Sequence, residues 1–216
     1  MSAESGISTF RDSGGLWEQH SIEDVATPEG FRRNPQLVLD FYNARRKAAF
    51  EANPNKGHIG LADMEKEYKV SIITQNVDSL HERAGSTNVI HLHGELDKVR
   101  STADPSIIYT LTPENAEIKV GDKCEKGSQL RPHIVWFGEA VPMIEKAIEV
   151  VQTADVLVVI GTSLNVYPAA GLLNYIRRGT PVYLIDPNEV KVYQQDIHFI
   201  KKGASEGVEE LRKLLR

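Results

Sequence analysis

The sequence predicts an α/β protein built on an open, Rossmann-like parallel sheet, with a small domain formed by insertions. Two observations point there. Short apolar runs alternate with segments of helical periodicity, and one long polar stretch breaks that rhythm.

The first helical pattern starts at Asn34-Pro35, a cap followed by proline at the first helical position, with Leu37, Phe41, Ala44 and Ala48 recurring after it. Val70-Ser71-Ile72-Ile73-Thr74 and Val89-Ile90-His91-Leu92 read as strands closed by polar residues. Residues 97–130 are polar, carry Pro105, Pro113, Gly121 and Gly127, and show only short apolar groups, the mark of an inserted module. Pro142 opens a helix with Ile144, Ala147, Ile148 and Val151 on one stripe. Val156-Leu157-Val158-Val159-Ile160 and Val182-Tyr183-Leu184-Ile185 are continuous and β-branched, as parallel strands covered on both faces are. Between them Pro168 opens a helix that Gly179 stops. Ser205 caps a last one carrying Val208, Leu211 and Leu215.

At 216 residues the chain is long enough for one sizeable core, and 41% apolar with 25% charged residues is ordinary for a globular protein. A net charge of -5 offers no basic footprint, so nucleic acid is not expected as a partner. The single cysteine, Cys124, excludes an internal disulfide and any multi-cysteine zinc site. No signal peptide and no spanning apolar run is read, so a cytoplasmic protein without membrane contact is expected, monomeric by default.

Four clusters carry chemistry. Thr74-Gln75-Asn76-Val77-Asp78-Ser79-Leu80-His81 ends a predicted strand, where open α/β sheets bind ligands; the bland reading is a turn that caps the next helix. His91-Leu92-His93-Gly94-Glu95 sets two imidazoles at period two. One of them suits a general base, the pair could bind metal, and a buried histidine held by a carbonyl is the plain alternative. Gly161-Thr162-Ser163 follows the strongest strand and lets backbone approach a sugar or phosphate, although the chain contains no Gly-x-Gly-x-x-Gly. Arg131-Pro132-His133-Ile134-Val135-Trp136-Phe137-Gly138-Glu139 is either a core strand or the wall of a groove for an extended peptide.

These clusters, in this order, resemble the sirtuin family. So does the opening Ser2-Ala3-Glu4-Ser5-Gly6-Ile7-Ser8-Thr9-Phe10-Arg11, together with Gly15-Leu16-Trp17. The resemblance runs through nearly all of the chain and implies a single catalytic domain over 1–216, with small-domain insertions at about 25–60 and about 97–130. It implies NAD as cosubstrate, acylated protein lysines as substrate, and transfer of the acyl group to ADP-ribose with release of nicotinamide. By motif, Ser2, Ala3, Glu4, Phe10, Arg11 and Trp17 fall in the cofactor loop. Gln75, Asn76, Val77 and Asp78 surround nicotinamide and its ribose. Gly161, Thr162 and Ser163 meet the adenosine half, with Asp186, Pro187, Asn188 and Ala204. His93 is the catalytic base, and Asn76 and Asp78 orient ribose, amide and water. Val135, Trp136, Phe137 and Gly138 bind the substrate backbone and line the lysine tunnel. Phe41-Tyr42-Asn43-Ala44-Arg45-Arg46 resembles the class that removes acidic acyl groups. Tyr42 and Arg45 share a helix face and together suit the carboxylate of succinyl- or malonyl-lysine, with acetyl-lysine also accepted. The alternative is a core Tyr42 and a solvated Arg45.

Departures from the family shape further expectations. Most members hold a structural zinc on four cysteines. With Cys124 alone, no zinc is expected, and the inserted module is expected to pack around Ile107, Ile108, Tyr109, Leu111 and Ile118. Asp186 replaces the usual ribose-binding asparagine. The family's cofactor loop follows an apolar strand and a Gly-Ala-Gly turn, and here Met1 stands just after that turn. The expectation is that the first strand is missing and that these 216 residues alone bind NAD weakly. Competing readings are an inactive binder of acyl-lysine or ADP-ribose, a protein ADP-ribosyltransferase, and a metal hydrolase built on His91 and His93.

Overall fold

The computed structural model describes residues 1–8, 20–162, 167–188 and 197–216. Helices α1 (Ile22–Val25), α2 (Pro28–Arg33), α3 (Pro35–Glu51) and α4 (Lys56–Met64) precede strand β1 (Ile72–Thr74). Helix α5 (Leu80–Arg83) leads to β2 (Val89–His91), β3 (Gly94–Ser101), β4 (Ile108–Thr110) and β5 (Leu130–Ile134). Then come α6 (Ile144–Thr153), β6 (Leu157–Ile160), β7 (Val182–Ile185), β8 (Ile197–Ile200) and α7 (Ala204–Leu214).

The apolar runs pair in parallel, as their composition predicts. They do so in two hydrogen-bonded groups, β1-β2 and β6-β7-β8. What joins the groups is a core: Ile72 of β1, Ile185 of β7 and Ile200 of β8 pack with Val208 and Leu211 of α7. On another face Ile90, Leu92 and Ala147 pack with Ala169. The polar stretch forms a separate antiparallel sheet in the order β4-β3-β5.

Asn34 caps α3 as expected, its side chain accepting from the Leu37 amide. The buried face of α3 differs from the expected stripe, however. Val38, Leu39, Phe41, Tyr42, Arg46 and Ala49 are buried, while Ala44 and Ala48 are exposed. The reason is that α3 packs against α1 and α2 on one side and against β3 and β5 on the other, so its covered face is broader than one stripe and turned from it. Arg46 makes that burial possible. Its guanidinium donates to the carbonyls of Leu96 (2.5 Å) and Ala116 (2.7 Å) and to Asn43 Oδ1 (2.8 Å).

Other corrections are local. The segment after Pro168 is a 3-10 helix, Ala169–Tyr175, and not an α-helix. The last helix is capped at Gly203 and not Ser205, because a distant carboxylate serves its first amides. In the inserted stretch Leu111 and Ile118 are buried with Leu39, Val99, Cys124 and Leu130, and Ile107 and Tyr109 pack against them. Ile108 is 43% exposed, because strand alternation turns it away from its neighbours. The Cys124 thiol donates to Ser101 Oγ inside this cluster. One thiol cannot supply a four-cysteine donor set.

Candidate active site

The carboxyl ends of β1, β2, β6 and β7 bring the candidate residues together, where an open parallel sheet places its ligands. Gln75 follows β1 and donates from Nε2 to Thr162 Oγ1, just beyond β6, at 3.3 Å. Asn76 donates from Nδ2 to Ser2 Oγ at 2.8 Å, and Ser2 is buried. The Gly161 amide donates to the Ile185 carbonyl, drawing the end of β6 onto β7. Asp186 follows β7 in a side-chain turn that accepts the Asn188 amide at 2.8 Å; Pro187 and Asn188 are exposed. The Met1 amino group is held below its usual range by burial, although Glu4, Asp78 and Asp186 oppose that shift. Amides, hydroxyls and carboxylates converging on one rim suit a ligand rich in ribose and amide groups. Phe10, Arg11, Trp17 and Ser163 lie outside the described residues.

His93 stands at the centre of this rim, in the turn between β2 and β3. Gly94 makes the turn possible. Its φ of 85° is left-handed, and a Cβ there would sit 2.0 Å from the His133 carbonyl oxygen. The chain therefore packs directly on β5, and the His93 carbonyl accepts the Val135 amide at 2.9 Å. The ring's Nδ1 lies 3.3 Å from the Gln75 carbonyl oxygen. A carbonyl can only accept, so Nδ1 carries the proton and Nε2 keeps the lone pair. Burial lowers the pKa of His93, with the Gln75 carbonyl working the other way, so the ring is held in its basic, neutral form.

The neighbouring histidine is used differently. His91 donates from Nδ1 to the Asn76 carbonyl (3.2 Å), and its Nε2 lies 2.7 Å from Glu82 Oε1. Burial works against its charge, but Glu82 outweighs that and raises its pKa. Two imidazoles two residues apart thus hold consecutive carbonyls of the Gln75-Asn76 loop. Val77 closes that loop, its carbonyl accepting the Leu96 amide at 2.7 Å. Asp78 is buried and accepts the Leu80 amide at 3.1 Å, so it holds the first amide of α5, whose N-cap Ser79 makes no side-chain cap bond.

Two expected cofactor residues are brought together by a contact that sequence reasoning missed. The Glu4 carboxylate accepts from the Ala204 amide, the Ser205 amide (3.1 Å) and the Ser205 hydroxyl. It caps α7 from 200 residues away, so the Ala204 amide is already engaged. Ala3 beside it is exposed.

The acyl-lysine candidates form a second cluster. Tyr42 is 1% exposed, and its hydroxyl accepts from Trp136 Nε1 at 3.0 Å. Burial pushes the phenol up to about 12, so it stays protonated. The Arg45 guanidinium lies 5.7 Å from the Phe41 ring centre and 5.8 Å from that of Tyr42. Burial lowers its pKa, and Tyr42 and Asp78 counter this, so the solvated Arg45 of the bland reading is not what the structure shows. Trp136 is 2% exposed, with the Arg131 guanidinium 3.5 Å from its ring centre; Phe137 is 50% exposed. The amides of Val135, Trp136 and Phe137 donate to His93 O, Glu139 Oε2 and Ala26 O, and Gly138 turns the chain at φ 87°. Glu139, which closes this cluster in the sequence and was given no role there, anchors the turn through Arg131 at 2.7 Å.

Known proteins with this arrangement are many. The profile of the Sir2 family matches residues 1–168. An NAD-dependent protein deacylase of Bacteroides thetaiotaomicron is 62% identical over 219 aligned residues, covering 100% of this chain and 94% of that protein. One of Helicobacter pylori is 51% identical, covering 98% and 91%. Among solved structures, a Sir2 homologue in complex with ADP-ribose superposes with a TM-score of 0.89 at 41% identity, covering 99% of this chain and 89% of that one. A Sir2 homologue in complex with NAD gives 0.87 at 41% identity, covering 100% and 87%.

Proposed function

The chain belongs to the Sir2 family, and we propose on that premise that its NAD-dependent protein deacylase chemistry runs through His93, with a preference for acyl groups that end in a carboxylate. The observation that carries the reading is the His93 ring: Nδ1–H is spent on the Gln75 carbonyl, which leaves Nε2 as the basic nitrogen. Gln75 bonds Thr162 and Asn76 bonds Ser2, which orients amide and hydroxyl groups near it, and Asp186 adds a carboxylate at the end of β7. NAD, when bound, supplies the ADP-ribose that takes the acyl group from lysine. The chain's part is to hold its partners in register and accept a proton at His93 Nε2.

Tyr42 and Arg45 carry the acyl preference. The Trp136 N–H occupies a lone pair of the Tyr42 oxygen, which leaves the phenol proton to be donated elsewhere. A protonated phenol and a guanidinium over its ring form a donor pair for a carboxylate. The inserted stretch 97–130, in this reading, needs no zinc, since Leu39, Val99, Leu111, Ile118 and Leu130 hold it together.

The test is to incubate the protein with succinyl-, malonyl- and acetyl-lysine peptides, with and without NAD, and follow products by mass spectrometry. Acyl-ADP-ribose and free nicotinamide are expected only with NAD, and His93→Ala should abolish both. Failure of all three peptides to yield acyl-ADP-ribose would sink the reading.

A further inference from the structure

We propose that His91, Glu82 and Glu95 form a binding site for a divalent transition-metal ion, which the deacylase chemistry does not use. The residues come from three elements, β2, α5 and β3, and one ligand atom of each lies within 4.8 Å of the others. The same-face histidine pair of the sequence reading therefore divides: His93 faces the rim, and His91 meets two carboxylates.

The hydrogen bonds show why a cation belongs there. Nδ1–H of His91 is committed to the Asn76 carbonyl. A neutral ring in that tautomer would aim the Nε2 lone pair at Glu82 Oε1, only 2.7 Å away, and two acceptors cannot share that distance. A proton or a metal ion must stand between them. The way His91 is held suits the second as well as the first. Metal-ligating histidines almost always donate the other ring N–H to a carbonyl or carboxylate, which fixes the tautomer and orients the ring. One imidazole with two carboxylates suits zinc, cobalt or manganese. Access is open from one side: the Glu82 side chain is 40% exposed and that of His91 only 7%, so water can complete the coordination.

The surrounding charges set the competition. Lys98 Nζ donates to Glu95 Oε1 at 2.8 Å and must be displaced or shared. Asp97, whose Oδ1 is buried without a partner among the described residues, adds negative charge close by, and His81 faces the cluster from α5. On binding, the metal ion takes the place of the Nε2 proton, which leaves to solvent; nothing is oxidised or reduced.

The experiment is a titration of the intact protein with cobalt(II) at neutral pH, read by visible absorption and calorimetry. One equivalent should bind, with ligand-field bands of nitrogen and oxygen donors and without thiolate charge transfer. His91→Gln, Glu82→Gln and Glu95→Gln should each weaken binding by roughly tenfold or more, with the fold verified by circular dichroism. Cys124→Ser should leave it unchanged. Glu82 is exposed enough that its variant decides the matter even if the His91 variant folds poorly. Absence of saturable binding up to millimolar cobalt overturns the proposal. So does binding that survives loss of His91 or Glu82, which would place the ion elsewhere, for example at the buried His58–His81 pair, whose rings lie 4.8 Å apart.

Discussion

Replacing Arg45 by methionine separates acyl recognition from catalysis. Methionine keeps an unbranched apolar stem against the Phe41 and Tyr42 rings, so packing on α3 is largely preserved. What disappears is a charge-assisted, two-pronged hydrogen bond to the substrate carboxylate. Hydrogen bonds to charged groups contribute about 1.5–3 kcal/mol, which corresponds to a loss of roughly 10- to 150-fold in kcat/KM for succinyl-lysine. Arg45 also faces Asp78, so its removal disturbs a group on the cofactor side and lowers turnover of every substrate to some extent. The informative quantity is therefore the ratio of kcat/KM for succinyl and acetyl versions of one peptide at saturating NAD, in which that common loss cancels. The ratio should fall by at least about tenfold. Equal losses for both peptides would refute the assignment of Arg45 and leave it as a support for Asp78.

Tyr42→Phe should also lower the succinyl-to-acetyl ratio. In addition it leaves the Trp136 N–H buried without its acceptor, at a cost of about 1–3 kcal/mol in denaturant unfolding. Glu4→Gln should destabilise the protein by about 0.5–2 kcal/mol, the range for loss of a helix cap. Burial opposes ionisation of Glu4, but hydrogen bonds from Ser205 and Ala204 win, and its pKa lies below the usual 4.5. A depressed carboxylate stabilises above its unfolded pKa and loses that contribution as pH falls through the folded one. The difference in melting temperature between wild type and Glu4→Gln should accordingly be full at neutral pH and shrink below about pH 4.5; a difference that grows on acidification contradicts the cap. Gly207→Ala should cost about 1–3 kcal/mol by overpacking, because its Cβ would lie 2.1 Å from Ile185 Cγ2; thermal unfolding at wild-type temperature would show that α7 can shift.

How much of this was legible beforehand depended on distance along the chain. The continuous strands β6 and β7 and the apolar stripes of α6 and α7 announce themselves through local periodicity. Strand β8 does not, because His198 interrupts the four residues Ile197-His198-Phe199-Ile200 and leaves no long apolar run. Helix α4 hides for a related reason: Lys56-Gly57-His58-Ile59-Gly60 carries two glycines, tolerated because Gly60 lets α7 approach and Val208 covers it. His93, Gln75 and Asn76 were recognisable as motif residues, yet the pairing of each imidazole with its own carbonyl was not. The contacts that define the sites join residues far apart: Tyr42 with Trp136 across 94 positions and Glu4 with Ala204 across 200. Periodicity holds no information on such pairs, since they are set by the packing of whole elements. Arg46 illustrates this well. A polar residue inside a helix reads as solvated until the carbonyls that need its protons are in place.

The Glu4 cap also ties the assembly of the cofactor rim to the far end of the chain. Closing so long a loop carries an entropy cost that a completed core offsets, so the Glu4 contact forms once α7 has docked on β7 and α4, adding to the bonds from Asn55 to the Met1 carbonyl and Ser5. Ser2, which receives the Asn76 side chain, is therefore held in part from the carboxyl-terminal side of the molecule. Amide hydrogen exchange in the Gln75-Asn76 loop and in α7 should report a single shared opening. Losing the last turns of α7 would loosen the rim proposed for NAD without touching any residue that lines it.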